Sequence, residues 1–225
     1  VPEYPDPANI ADRDALARQI APVQGGDRRW MEEATRGALI RLRVSVPAFD
    51  AAGRPLSPQA RSQTATPIVA RLGRAAVDEA LAAATTGQSL TDGQAGWLSV
   101  LLTALPVRDY AWMRTDASDG HARLWTDLTR RAQPDLAAGP GCLLAYNALL
   151  RGDGGLATVA LQRAAQADPD YSMAQLLLDA INRSLPLRTI RDAIALAVAD
   201  DALEGTDQPT PDDDGHTASG TGGQP

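Results

Sequence analysis

Residues 138–171, AGPGCLLAYNALLRGDGGLATVALQRAAQADPDY, leave this chain fewer ways to fold than any other stretch. An apolar run from Cys142 to Leu150 is interrupted by Gly152-Asp153-Gly154-Gly155, and a second run from Leu156 to Ala167 stops before Asp168-Pro169. Glycine permits the tight turn and proline cannot continue a helix, so the stretch predicts two short helices joined by a glycine-rich turn.

Within that hairpin, Gly152, Ala157, Leu161, Ala164 and Pro169 fall where a tetratricopeptide unit keeps a turn glycine, small packing residues, a large apolar residue and a closing proline. Alanines at the two small positions let paired helices approach, and Leu161 fills the groove between them. Gly141 and Ala148 depart from the pattern, which prefers a large apolar residue and an aromatic there. One repeat upstream stand Ser118, Arg123 and Asp127, and one repeat downstream Pro186, Arg191 and Ala195, so no array is predicted. An ordinary helical hairpin with alanine contacts accounts for the same residues.

Composition agrees with a helical protein. Aromatics are only 4% while alanine and leucine, strong helix formers, dominate, and 225 residues suffice to bury a core. All 21 basic residues are arginine, which excludes a Schiff-base lysine, a P-loop lysine and a lysine general base. The single cysteine, Cys142, excludes an internal disulfide and any CxxC pair, and it reads as a small buried hydrophobe. Two histidines, His121 and His216, are too few for a histidine-based metal site, so neither metal nor cofactor is expected. Asp201, Glu204, Asp207, Asp212, Asp213 and Asp214 lie past residue 200, which leaves 22 acidic residues against 21 arginines in residues 1–200. That balance lacks the basic excess of a nucleic-acid binder. No apolar run of about 18 residues offers a membrane span. A chain opening on Val1 is expected to be a fragment, with any targeting signal upstream.

In chain order, residues 1–11 with three prolines read as an extended lead-in. Asp12 is expected to cap a helix carrying Leu16 and Ile20, and a second helix over 27–43 to turn Trp30, Ala34 and Leu42 inward. Its Arg29–Glu33 and Glu32–Arg36 pairs would lie on the solvated face. Pro47, Gly53, Pro55 and Pro58 predict a loop over 44–66 with at most a short extended piece. A helix over 67–84 follows, with Ile68, Leu72, Ala75, Ala76, Glu79 and Ala83 at helical spacing and Gly87 closing it. Thr91 and Gln94 form a capping box for a helix whose apolar face is too wide for the surface. Pro106 breaks it, a short helix runs to Arg114, and Ser118 or Asp119 caps another to about Arg131. After the central hairpin Asp168 is expected to cap a helix carrying Tyr171, Ala174, Leu178, Ile181 and Leu185. Pro186 opens a last helix with Leu187, Ile190, Ile194 and Ala197, and the tail from Asp201 is expected to be disordered. The predicted fold is all-α: antiparallel helical hairpins with a single tetratricopeptide-like helix pair. Residues 1–11 form a lead-in, 12–200 the helical domain and 201–225 a disordered acidic tail.

LPVRDYAW (105–112), HARLWTDLTRRAQP (121–134) and LLAYNALLRGDGGLATVALQRAAQADPDYSMAQLLLDAI (143–181) together resemble an uncharacterised actinobacterial family, domain of unknown function 4192. The resemblance is strong over residues 90–186 and weak before them. It implies a cytoplasmic protein with an additional N-terminal portion, and it brings no activity, cofactor or catalytic residue.

Arg108, Asp109, Trp112, His121, Trp125, Asp127 and Arg130 are the candidate binding residues. Arginine forks hold carboxylate or phosphate and tryptophan offers a stacking face. The competing reading makes Arg108–Asp109 and Asp127 with Arg130 or Arg131 structural ion pairs, with His121 and Trp125 against the core. Gly152–Gly155 resembles a phosphate cradle but lacks a preceding strand and a lysine, and a helix-end turn explains it. The expected function is a helical protein-interaction or scaffold domain, its partner another protein or the absent N-terminal portion, with no nucleic acid and no membrane. The alternative is a small-molecule-binding domain or enzyme using Arg108, His121, Asp127 and Arg130.

Overall fold

A computed structural model describes residues 7–183 and the single positions 185, 189 and 192. The first six residues, most of the helix predicted from Pro186, and the acidic tail lie outside the described residues. The fold is all-α. Among the described residues, nine helices follow one another: α1 Pro7–Gln19, α2 Gly25–Ser45, α3 Pro58–Thr85, α4 Asp92–Leu101, α5 Leu105–Arg114, α6 Asp119–Arg131, α7 Ala138–Leu150, α8 Gly154–Ala167 and α9 Ser172–Asn182. A 3-10 turn, Pro134–Leu136, precedes α7.

Helix α7 is the centre because its sequence, AGPGCLLAYNALL, carries no charge on any face. Every residue from Ala138 to Ala148 is buried. Its one amide side chain is used inside: Asn147 Nδ2 donates to the Asp116 carbonyl at 2.6 Å, which pins the α5–α6 connection onto α7. The turn into α8 follows the sequence closely. Gly152 has φ +77°, and Asp153 accepts the Leu156 N–H at 2.9 Å as the α8 cap. Leu161, Ala157 and Ala164 are fully buried. Gly141 departs from the tetratricopeptide pattern for a steric reason: a Cβ there would lie 3.2 Å from the Ala160 carbonyl oxygen and 3.3 Å from Ala164 Cβ. Helix α7 also packs on α6 and α9, while α8 packs on α1 and α9.

The first half of the chain is arranged differently. Helix α2 packs on α4, and α3 packs on α4, α5 and α6. Thr91 and Gln94 make the expected capping box of α4, and Ser118 caps α6 by accepting the His121 N–H. Several expectations need correction. Helix α1 starts at Pro7, so residues 7–11 are helical rather than an extended lead-in. Helix α2 buries Met31, Thr35 and Ala38, a face rotated by one residue from the expected one, and Trp30 stands 62% exposed. Its ion pair is Arg28–Glu32 at 3.4 Å. Helix α3 starts at Pro58, capped by Ser57, and runs through Pro67. That proline is tolerated because Gln63, whose carbonyl loses its helical partner there, is exposed. Helix α3 buries Gly73, Ala76, Val77, Ala80, Leu81 and Ala84 rather than Leu72, Ala75 and Glu79. Helix α9 starts after Tyr171, because Asp168 accepts the Asp170 N–H and shapes a turn instead of a cap.

Candidate functional site

Helices α2 and α3 both lean on α4 yet barely touch one another. Between them lies an open cleft of about 710 Å³. Ala34, Gly37, Ala38 and Arg41 of α2 form one wall, Leu72, Ala75, Ala76 and Glu79 of α3 the other, and Gln94 and Trp97 of α4 line its base. The small side chains make the cleft wide. Its width has limits set by the α2–α4 crossing, where a Cβ on Gly96 would lie 2.9 Å from the Ala34 carbonyl carbon. Two charges face each other across the cleft. Arg41 stacks on Trp97, its guanidinium carbon 4.2 Å from the ring centroid. Glu79 accepts a hydrogen bond from Gln94 Nε2 at 2.7 Å, at the α4 N-terminus where the helix dipole favours a carboxylate.

Above the cleft the two helices continue as an arm. No residue from Leu39 to Leu72 is buried, although this span includes seven residues of α2 and fifteen of α3. Ile40, Phe49 and Val44 are 59%, 59% and 80% exposed. The arm contains five arginines and one acid, Asp50. Asp50 is held at the arm tip by Arg54, whose Nε lies 2.8 Å from Asp50 Oδ2 and whose backbone N–H bonds Oδ1. Those bonds from Arg54 hold the Asp50 carboxyl below the usual range. Among the described residues, none of Arg41, Arg43, Arg61 and Arg71 is paired with a carboxylate.

The seven residues singled out from the sequence fall in three separate places. Arg108 is buried at the α5–α9 contact, with Nη2 2.6 Å from Asp109 Oδ1 and Nη1 donating to Ser172 Oγ at 3.2 Å. Trp112, also buried, meets the Tyr146 ring edge-on at 5.4 Å. Burial pushes the neighbouring Tyr171 hydroxyl up to about 12, against the opposing pull of Arg108. Burial likewise pushes the Cys142 thiol up to about 12, which keeps it an unreactive thiol at neutral pH. His121 and Trp125 are buried within α6. His121 Nδ1 accepts the Asp116 N–H at 3.0 Å, and Trp125 Nε1 donates to Thr115 Oγ1 at 3.1 Å. Asp127 and Arg130 line a different groove of about 420 Å³ between α6 and the start of α8. Asp127 pairs there with Arg131 at 2.8 Å, while Arg130 Nε donates to the Ala21 carbonyl at 3.4 Å. Arg108 and His121 are thus not brought into the groove of Asp127 and Arg130, and each is engaged in joining helices.

A family model described as a domain of unknown function, DUF4192, matches residues 9–187. The chain belongs to the DUF4192 family. No curated protein matches it, and no solved structure does. The matched span of this DUF4192 domain takes in the arm as well as the core, so the arm is part of the family's domain rather than an addition to it. Among the described residues, no helix is long and apolar enough to cross a membrane. Sequence reasoning missed the cleft. The available signal on α2 was the small residues Ala34 and Gly37, which line it beside the buried Ala38. On α3 the lining residues Leu72, Ala75, Ala76 and Glu79 share the helical spacing that suggests a core face.

Proposed function

We propose that this DUF4192 domain is a helical interaction module, and that the α2–α3 cleft with its arm receives an acidic amphipathic helix of another protein. One observation carries the reading: two helices separated by a cleft of about 710 Å³ extend into an arm without one buried residue. Helices of this length gain most of their stability from packing an apolar face, and here Leu42, Val69 and Leu72 rest partly on the core while Ile40, Val44 and Phe49 stay exposed. A helix laid between two others uses the same groove packing as a helical bundle. The unpaired arginines select an acidic occupant, and the apolar residues between them select an amphipathic one. The central α7–α8 pair then serves as the rigid, tetratricopeptide-like base, and the reading fits a cytoplasmic protein.

The test is capture from the native host with full-length protein, comparing the wild type with Ala75→Trp, which fills the cleft from its exposed wall. A stoichiometric partner retained by the wild type and lost with Ala75→Trp is expected. Equal capture by both proteins would overturn the cleft as the docking site.

A further inference from the structure

We propose that the outer end of the arm, residues 43–61, docks the protein on an anionic lipid surface, with Val44 and Phe49 in the interface and Arg43 and Arg61 among the phosphates. This contact lies beyond the cleft, whose lining stops at Arg41 on α2 and Leu72 on α3, and it leaves the cleft open. Among the described residues no helix can span a membrane, and none is needed. Surface contact takes an apolar tip and cations, whereas spanning takes about 18 apolar residues.

The tip is built rather than slack. Asp50 N–H donates to the Arg54 carbonyl at 2.9 Å, Gly53 N–H to the Asp50 carbonyl at 3.0 Å and Leu56 N–H to the Ala48 carbonyl at 2.9 Å. Asp50 Oδ1 accepts the N–H of Ala52 and of Arg54, each at 2.9 Å, and Phe49 forms an antiparallel bridge with Pro55. These bonds tie the loop to itself, since no residue from Leu39 to Leu72 is buried. What they hold out is apolar. Phe49, the one phenylalanine of the chain, is 59% exposed, and Val44 in the last turn of α2 is 80% exposed. Ile40 lies one turn behind Val44 and is exposed as well. A loop ordered before it binds avoids a cost that a flexible loop would meet on docking.

Charge selects the surface. From Ala34 to Val77 the chain holds seven arginines and one acid, Asp50, which Arg54 already holds. Arg41 faces Glu79 across the cleft. Arg43 on α2 and Arg61 on α3 meet no carboxylate among the described residues. Protein partners fix register with charges of both signs. Here cations stand on both helices behind an apolar tip, with no free acid among them, which suits a plane of phosphates that has no register. The depths agree. Arg43 is two residues from the end of α2 and Arg61 three from the start of α3, so both lie about 3–5 Å behind the tip loop. Apolar side chains at an interface sink about 5–10 Å, so Phe49 reaches the acyl boundary while both guanidiniums stay level with the phosphates. There each fork can hold a phosphate by two parallel bonds.

The experiment is sedimentation of the full chain with vesicles of phosphatidylcholine containing about one-third phosphatidylglycerol, against phosphatidylcholine alone. Binding to the anionic vesicles only is expected, and it should weaken at about 1 M salt, where screening acts within about 3 Å. Phe49→Ser/Val44→Ser and Arg43→Glu/Arg61→Glu should each lower the affinity by about tenfold or more. Their melting curves should match the wild type, because none of the four side chains is buried. Depth is read with Phe49→Trp and lipids brominated on their acyl chains, where the new indole should add quenching that the wild type lacks. Ala75→Trp, which fills the cleft, should bind vesicles as the wild type does. Equal binding to both vesicles, no binding, unchanged affinity in either double variant, or no added quenching at position 49 would overturn the proposal. Vesicle binding lost with Ala75→Trp would overturn it too, by moving the contact into the cleft. Partner capture is tested at Ala75 and lipid contact at the tip, so the two readings fail separately.

Discussion

Helix α7 and the arm have the same secondary structure and opposite surroundings. In α7 every residue from Ala138 to Ala148 is buried, while across Leu39–Leu72 none is. The difference is written in charge. Helix α7 contains no ionisable residue apart from Cys142 and Tyr146, so it can lie at the centre of other helices without leaving a charge in low dielectric. The arm alternates large apolar residues with arginines, which excludes it from a core and equally keeps it from being an ordinary solvated surface. A helix that is apolar all round needs neighbours in its own domain. One that mixes exposed leucine, isoleucine and valine with unpaired cations stays at the surface.

The sharpest contrast is expected in the response to truncation. Leu161 is fully buried between α7, α8 and the helices around them, so Leu161→Ala should cost about 2–5 kcal/mol in denaturant melts. Ala157 is equally buried at the same crossing, and Ala157→Leu should overpack it by about 1–3 kcal/mol. A neutral Ala157→Leu would show that α7 and α8 are not close-packed. On the arm, Ile40→Ala and Val44→Ala should each change global stability by less than about 0.5 kcal/mol, despite removing comparable apolar volume. A loss of several kcal/mol at Val44 would place the arm in the cooperative core and remove the comparison.

Hydrogen exchange should divide the molecule along the same line. Amides of α7 are expected to exchange only through global unfolding, and those of residues 39–72 through local opening at much lower cost. Protection of the arm equal to that of α7 would contradict the burial pattern.

How much of this was legible in the sequence depended on what each residue was asked to signal. The α7–α8 hairpin was legible because glycine, aspartate and proline mark its ends and alanines mark its contact, all local signals. Gly141 was read as a departure, and only the neighbouring turn of α8 explains it. The α2 face was misread because Trp30 outweighs Thr35 in any apolar count, although packing chose the threonine. The start of α3 was missed because Pro58 and Pro67 usually exclude helix, one being acceptable at a first turn and the other in a solvated one. For the seven polar and aromatic candidates, the residue types were right for a site but not all of their partners were visible. The i,i+4 pairing of Asp127 with Arg131 within α6 was legible as an ion pair, whereas that of Arg108 with Ser172 depends on which helices meet.

Acid offers the finest test of the comparison. Asp119 is held below the usual carboxylate range by hydrogen bonding and charge from Arg151, and Asp116 chiefly by its hydrogen bond from Ser118. The Asp119 carboxylate ties the start of α6 to Arg151 at the end of α7, and the Asp116 carboxylate shapes the turn into α6 by accepting the Ser118 N–H. Their folded-state values lie below the ordinary carboxylate value of 3.8, so the unfolded chain binds more protons as pH drops through that value. The stability they contribute is therefore complete above 3.8 and is lost as pH falls through their depressed folded values. Asp50 is depressed in the same direction by Arg54, but it sits at the tip of the arm. Asp119→Asn should flatten the acid limb of the global melting curve between pH 4 and pH 2. Asp50→Asn should leave that limb nearly unchanged, because the arm opens before the core melts, and should show its effect in the exchange of amides near the 46–57 loop. The two substitutions remove the same charge, so a difference between them reports only where each carboxylate sits. Equal flattening by both would mean that the arm and the core unfold as one unit.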